Sequence, residues 1–160
     1  MSLSSREYVL KLLQVSAEAL SVSYTKQTPT SLQNWVREES NGAFVANISF
    51  TEDRTPINLN SDYVNFNVGL FFVVSLDYDL TEEEKTKQEN DANRLANRFL
   101  YLLKNNEDSV TVQNGNLETI FREGGYLGLG VAGVFTVSLA DRDDYCDLFC
   151  NTSTKQIDKC

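Results

Sequence analysis

The chain has 160 residues, 41% of them hydrophobic and 23% charged, and a formal net charge of −9. That length and balance suit one folded domain with a continuous core, and they exclude wholesale disorder. There is no histidine, which excludes Ser-His-Asp and Cys-His catalysis within the chain and removes the commonest metal ligand.

The acidic balance opposes free nucleic acid, because binding it needs a basic footprint. It suits steering toward basic protein surfaces. No apolar run approaches the roughly twenty residues of a transmembrane helix, so no membrane partner is expected. The start, Met1 to Arg6, lacks a charged segment followed by an apolar one, so synthesis in a cytoplasm is expected.

Residues 4–23 read as a helix. Ser4 and Glu7 stand at capping-box spacing, and Val9, Leu12, Leu13, Ser16, Ala17 and Leu20 form one apolar stripe. Residues 25–34 read as a polar loop centred on Pro29. A strand follows over 43–50, with Phe44, Ala46, Ile48 and Phe50 on one side, and residues 51–62 form a polar connection.

The clearest pattern lies at 63–79. Phe66, Val68, Leu70, Phe72, Val74, Leu76 and Tyr78 alternate with a second set that is apolar only in its middle, at Phe71 and Val73. A period of two over that length predicts a long strand with one apolar face. The middle of the other face needs cover from a helix, a loop or another subunit.

Thr81 to Lys104 reads as the main helix. Thr81 and Glu84 form a second capping box, and Glu82, Glu83 and Glu84 sit at the positive end of the dipole. Ala92, Leu95, Ala96, Phe99, Leu102 and Leu103 supply its inner face. Three short strands are predicted at 109–113, 117–122 and 131–140, the first two joined by an Asn114-Gly115 hairpin turn. The expectation is α+β, a mainly antiparallel sheet with two helices packed on one face. Residues 1–140 form a single domain, and 141–160 form a polar acidic C-terminal tail, exposed or draped on a neighbour.

Several patterns invite chemistry and read better as structure. Gly128, Gly130 and Gly133 spell a dinucleotide fingerprint but run into a strand, where that motif must open a helix. Asp141, Asp143, Asp144 and Asp147 lack the glycine turn of a calcium loop. Cys146, Cys150 and Cys160 are too few for a closed zinc site and read as free thiols, or secondarily as an oxidised pair. The sequons at Asn47 and Asn151 carry no weight without a signal peptide. No catalytic, cofactor-binding or metal residue is assigned, and no enzyme activity is expected. The glycine-rich stretch Gly124, Gly125, Tyr126, Leu127, Leu129 and Val131 reads either as a loosely ordered hairpin tip or as a subunit-interface loop.

Val68-Gly-Leu-Phe-Phe-Val-Val-Ser-Leu-Asp-Tyr-Asp79 runs almost directly into Thr81-Glu-Glu-Glu84, and Arg94-Leu-Ala-Asn-Arg-Phe-Leu100 follows. With the helix at 4–23 and the closing strands to Ala140, this order resembles the small tail-terminator or tail-completion proteins of long-tailed bacteriophages. The resemblance spans about residues 4–140, and the segment from Asp141 has no counterpart in it. It implies a structural virion protein, assembled in the host cytoplasm. Such a protein forms a ring, usually a homohexamer, that ends tail-tube growth and joins the tail to the neck. Its partners would be its own copies, the tail tube and the neck or head-completion proteins. Genomic DNA would pass through the lumen without specific binding. The alternative from another class is a small acidic binding or adaptor protein, such as an inhibitor that mimics DNA.

Overall fold

The alternating segment expected at 63–79 lies at the centre of a six-stranded sheet. The computed structural model describes residues 2–38, 42–53, 62–76, 79–105, 110–113, 115–120 and 130–146. In chain order the elements are β1 (Ser2–Leu3), α1 (Ser5–Ala19), β2 (Ser23–Lys26), α2 (Pro29–Glu38), β3 (Phe44–Asp53) and β4 (Tyr63–Val73). They continue with α3 (Glu82–Lys104), β5 (Thr111–Gln113), β6 (Glu118–Ile120), β7 (Gly130–Ala140) and β8 (Tyr145–Cys146). The main sheet runs β2-β3-β4-β7-β5, with β6 also on β7, and every pairing except β2–β3 is antiparallel. The architecture is α+β with α1 and α3 packed on one face, as the sequence predicts.

That face holds the larger core. Val64, Phe66, Val68, Leu70 and Phe72 of β4 and Phe135, Val137 and Leu139 of β7 meet Val9, Leu12 and Leu13 of α1 and Leu95, Ala96, Phe99 and Leu103 of α3. Each Val, Leu or Phe among them contributes about 1.5–3 kcal/mol of transfer free energy. Phe72 and Phe99 meet edge to face at 5.4 Å and lock α3 to the sheet. Leu100 is buried and Leu102 only partly so, the reverse of the expectation for Leu102.

Both predicted capping boxes form. Ser4 and Thr81 each accept from the backbone N–H of the glutamate three residues on, and that glutamate accepts from the cap's own N–H. α1 ends at Ala19 and not at 23 because Ser21 adopts a left-handed φ of 57°. The Ser21 and Val22 N–H groups bond back to the Glu18 and Ala17 carbonyls, a Schellman ending, and Val22 tucks onto the core.

Residues 25–34 correct the expectation of a loop. Thr25 and Lys26 belong to β2, and Pro29 opens α2. The Thr28 hydroxyl accepts from the Ser31 N–H at 3.2 Å, and the Thr28 carbonyl accepts from Leu32, so Thr28 caps a helix whose first position tolerates proline. A parallel pair such as β2–β3 needs a crossover, and α2 is that crossover. It covers the other face of the sheet, where Leu32 and Val36 bury Phe44, Ala46, Phe71 and Val73. The apolar middle at Phe71 and Val73 is therefore covered by a helix of this same chain.

Three further details depart from the sequence reading. The β3–β4 register shifts between Asn47 and Ser49. This bulge at Ile48 turns Phe50 to the α1 side, where it stacks on Phe66 at 5.1 Å. β4 stops at Val73, where its partners Phe44 and Gly130 also begin. Asn114 lies outside the described residues, but β5 and β6 do not pair with each other as a hairpin would: both pair with β7, at 136–138 and 130–132. They form one interrupted strand, and a Cβ at Gly115 would collide with the Val134 carbonyl oxygen. Glycine is needed there for close backbone approach.

Residues 141–146 are not wholly a draped tail. Asp141–Asp144 are exposed, but β8 pairs with β1 and Tyr145 is 3% exposed. Its ring stacks on Tyr8 at 4.5 Å, and its hydroxyl donates to the Ala140 carbonyl at 2.7 Å. The domain thus extends to Cys146, held by an aromatic anchor.

Candidate interaction face

Pleating places alternate residues of β3, β4, β7 and β5 on the side away from α1 and α3. α2 covers only the end of that side where Phe44, Ala46, Phe71 and Val73 lie. Beyond it the register builds a polar surface row by row. Asp53 faces Asn65, which faces Ser138, which faces Thr111. In the next row Thr51, Asn67, Thr136 and Gln113 align in the same way.

Two hydrogen bonds stiffen this surface across β4 and β7. The Thr136 hydroxyl donates to Asn67 Oδ1 at 2.9 Å, and the Ser138 hydroxyl donates to Asn65 Oδ1. Cross-strand pairs of this kind fix side-chain positions as well as adding stability. Between the polar rows and the α2-covered end lies a shallow depression lined by Ile48, Ser49, Gly69, Gly115, Glu118 and Val134. Gly69 gives it a flat floor, since a Cβ there would meet the Ser49 hydroxyl.

Two of the exposed large hydrophobic residues bracket this face. Tyr63 at one end is 61% exposed and Val134 at the other is 57% exposed. The rows between them carry one charge, Asp53, and Glu118 borders the depression. A flat surface with hydrogen-bonding groups, apolar anchors and few charges has the composition of a protein–protein contact core. No protein-family model and no curated protein matches the chain. The face is therefore read from its own chemistry.

The residues singled out in the sequence fall elsewhere. Gly124, Gly125, Tyr126, Leu127 and Leu129 lie outside the described residues. Val131 is buried in β7, between Phe72 and Thr119, and offers no surface. Gly130 and Gly133 also lie within β7, so no helix N-terminus follows the glycines to hold a pyrophosphate. Asp141 accepts from the Ser5 hydroxyl at 3.0 Å, and Asp144 pairs with Arg142 at 3.2 Å. Among the described residues no group of three or more Cys, Asp and Glu side chains is placed to hold a metal. Cys150, Cys160 and the Asn151 sequon lie outside the described residues.

Asn47 is 1% exposed, which removes it as a modification site in the folded chain. Its Nδ2 donates to the Tyr24 hydroxyl at 3.3 Å, while its Oδ1 has no partner among the described residues. Burial pushes the Tyr24 phenol above its ordinary value, and the Asn47 hydrogen bond partly offsets this.

The polar rows were visible in the sequence only as the non-core half of two alternating strands. Nothing in the sequence gives the register that sets Asn65 beside Ser138 and Asn67 beside Thr136.

Proposed function

We propose that this chain is a structural subunit that works by packing against copies of itself in a closed ring, at the head-proximal end of a bacteriophage tail. The observation that carries the reading is the charge-poor sheet face between Tyr63 and Val134 on a chain of net charge −9. Copies of an acidic molecule repel one another, so self-association needs a surface from which charge has been removed. The cross-strand bonds at Asn65 and Asn67 hold that surface in one shape, which lowers the entropy cost of docking. The tail-terminator role rests on the resemblance in element order and size. In that role the ring stops tube growth and presents a surface to the neck.

Purified full-length chain, observed by light scattering and electron microscopy over a concentration series, tests the reading. Closed rings of uniform size are expected. A monomer at every concentration, with no rings by microscopy, overturns it. The net charge alone favours a second reading, an acidic binding module for a basic protein. A monomer or dimer that stably holds such a partner is its signature.

A further inference from the structure

A second patch lies on the helical side of the sheet. Leu20, at the end of α1, and Asn97, Arg98, Tyr101 and Leu102 of α3 line a groove. Tyr101 is 66% exposed, and it is the third exposed large hydrophobic residue among the described ones. Arg94, Arg98 and Tyr101 follow one line of α3, at spacings of four and three. From Ala92 to Asn105 the only charged residues are Arg94, Arg98 and Lys104, all basic, in a chain whose net charge is −9.

The two patches are complementary. Among the described residues, the sheet face has apolar anchors and, as its charges, Asp53 and Glu118. The groove has an apolar floor and one cation in its lining, Arg98, while Arg94 one turn earlier pairs with Asp91 at 3.5 Å. Groove against groove would bring cations together, and sheet face against sheet face would bring carboxylates together. Groove against sheet face sets Arg98 and Tyr101 against a surface that carries carboxylates and an exposed apolar residue, Val134.

We infer that the groove between α1 and α3 receives the sheet face of the next copy of this chain, so that each subunit meets its two neighbours through different surfaces. Such a contact is heterologous, and it closes into a ring when its rotation divides a full turn. This inference rests on the ring reading above and specifies which surfaces make the ring.

The test exchanges charges in the full-length chain, with Arg98→Glu, Glu118→Arg and the double variant, followed by sedimentation. Arg98 and Glu118 are both exposed, and circular dichroism confirms that each variant folds. Each single exchange is expected to weaken association by roughly tenfold or more, and the double exchange to recover much of that loss, because interfacial charge pairs couple. Tyr101→Ala, which alters no charge, is expected to weaken association as loss of an aromatic anchor does.

If the unaltered chain assembles and these variants assemble equally well, the inference falls and the ring reading stands. The inference also falls if the single exchanges weaken assembly and the double exchange fails to recover it. The groove would then face a different surface, either of this chain or of another protein. If the unaltered chain never assembles, both fall together.

Discussion

Replacing Tyr145 tests whether the segment after Ala140 is part of the folded domain. Its ring is buried against Tyr8 at 4.5 Å, its hydroxyl bonds the Ala140 carbonyl at 2.7 Å, and the Arg142 guanidinium lies 4.3 Å from its ring centre. Tyr145→Phe removes only the hydroxyl bond and should cost about 1 kcal/mol. Tyr145→Ala removes the stacked ring as well and leaves a cavity, which for a large aromatic costs about 3–5 kcal/mol. With a urea m-value of roughly 2 kcal/mol/M, the alanine variant should unfold at a midpoint about 2 M lower, and the phenylalanine variant about 0.5 M lower. Tryptophan fluorescence from Trp35, on the far side of the sheet, reports the transition, and coincidence with circular dichroism checks that it is two-state. Equal midpoints for the alanine and phenylalanine variants would refute the reasoning and return residues 141–146 to the status of a tail.

Gly115→Ala should destabilise by about 1–3 kcal/mol, because its Cβ meets backbone at Val134. Gly69→Ala should cost less, since its nearest obstacle is the rotatable Ser49 hydroxyl, and denaturant midpoints of the pair decide the matter. Hydrogen bonds from the Ser4 backbone and side chain hold the Glu7 carboxyl below the ordinary carboxylate range. The stability it adds is present above the ordinary carboxylate range and is lost as pH falls through the depressed value. Ser4→Ala removes the hydroxyl bond but keeps the backbone N–H, so it should move the Glu7 carboxyl only part of the way back toward the ordinary range in an NMR titration, and an unchanged value would contradict the capping account. Tyr24, raised by burial, adds stability below the ordinary tyrosine range that is lost as pH rises through its folded value. In an alkaline spectrophotometric titration Tyr24→Phe should remove a late-ionising phase.

Much of the fold was legible because local signals agreed with one another. The alternation through Phe66, Val68, Leu70 and Phe72 fixed the central strand, and the Thr81–Glu84 box fixed where α3 begins. α2 was missed because its composition is polar, although Thr28-Pro29 is a helix opening and Leu32, Trp35 and Val36 recur at helical spacing. The bulge at Ile48 left no such mark, since one extra residue is decided by pairing with β4 and not by the residue itself. Asn114-Gly115 misled because the same dipeptide that makes a hairpin turn also suits a close approach between backbones. The interaction face was legible only in halves. The polar alternates of β4 and β7 can each be seen, but their alignment depends on a long-range register.

The margins of the main sheet bear on how any assembly grows. On one side β2 spans only Ser23–Lys26, and on the other β5 and β6 are three residues each, separated by the irregular stretch around Gly115. Strands as short as β2, β5 and β6 do not themselves offer a long ladder of free amides and carbonyls for a foreign strand to zip onto, which is how sheets recruit indiscriminately and grow without limit. Along these short strands, contact with other molecules falls to side chains, whose identities distinguish a sibling from a stranger in a way that peptide groups, alike in every protein, do not.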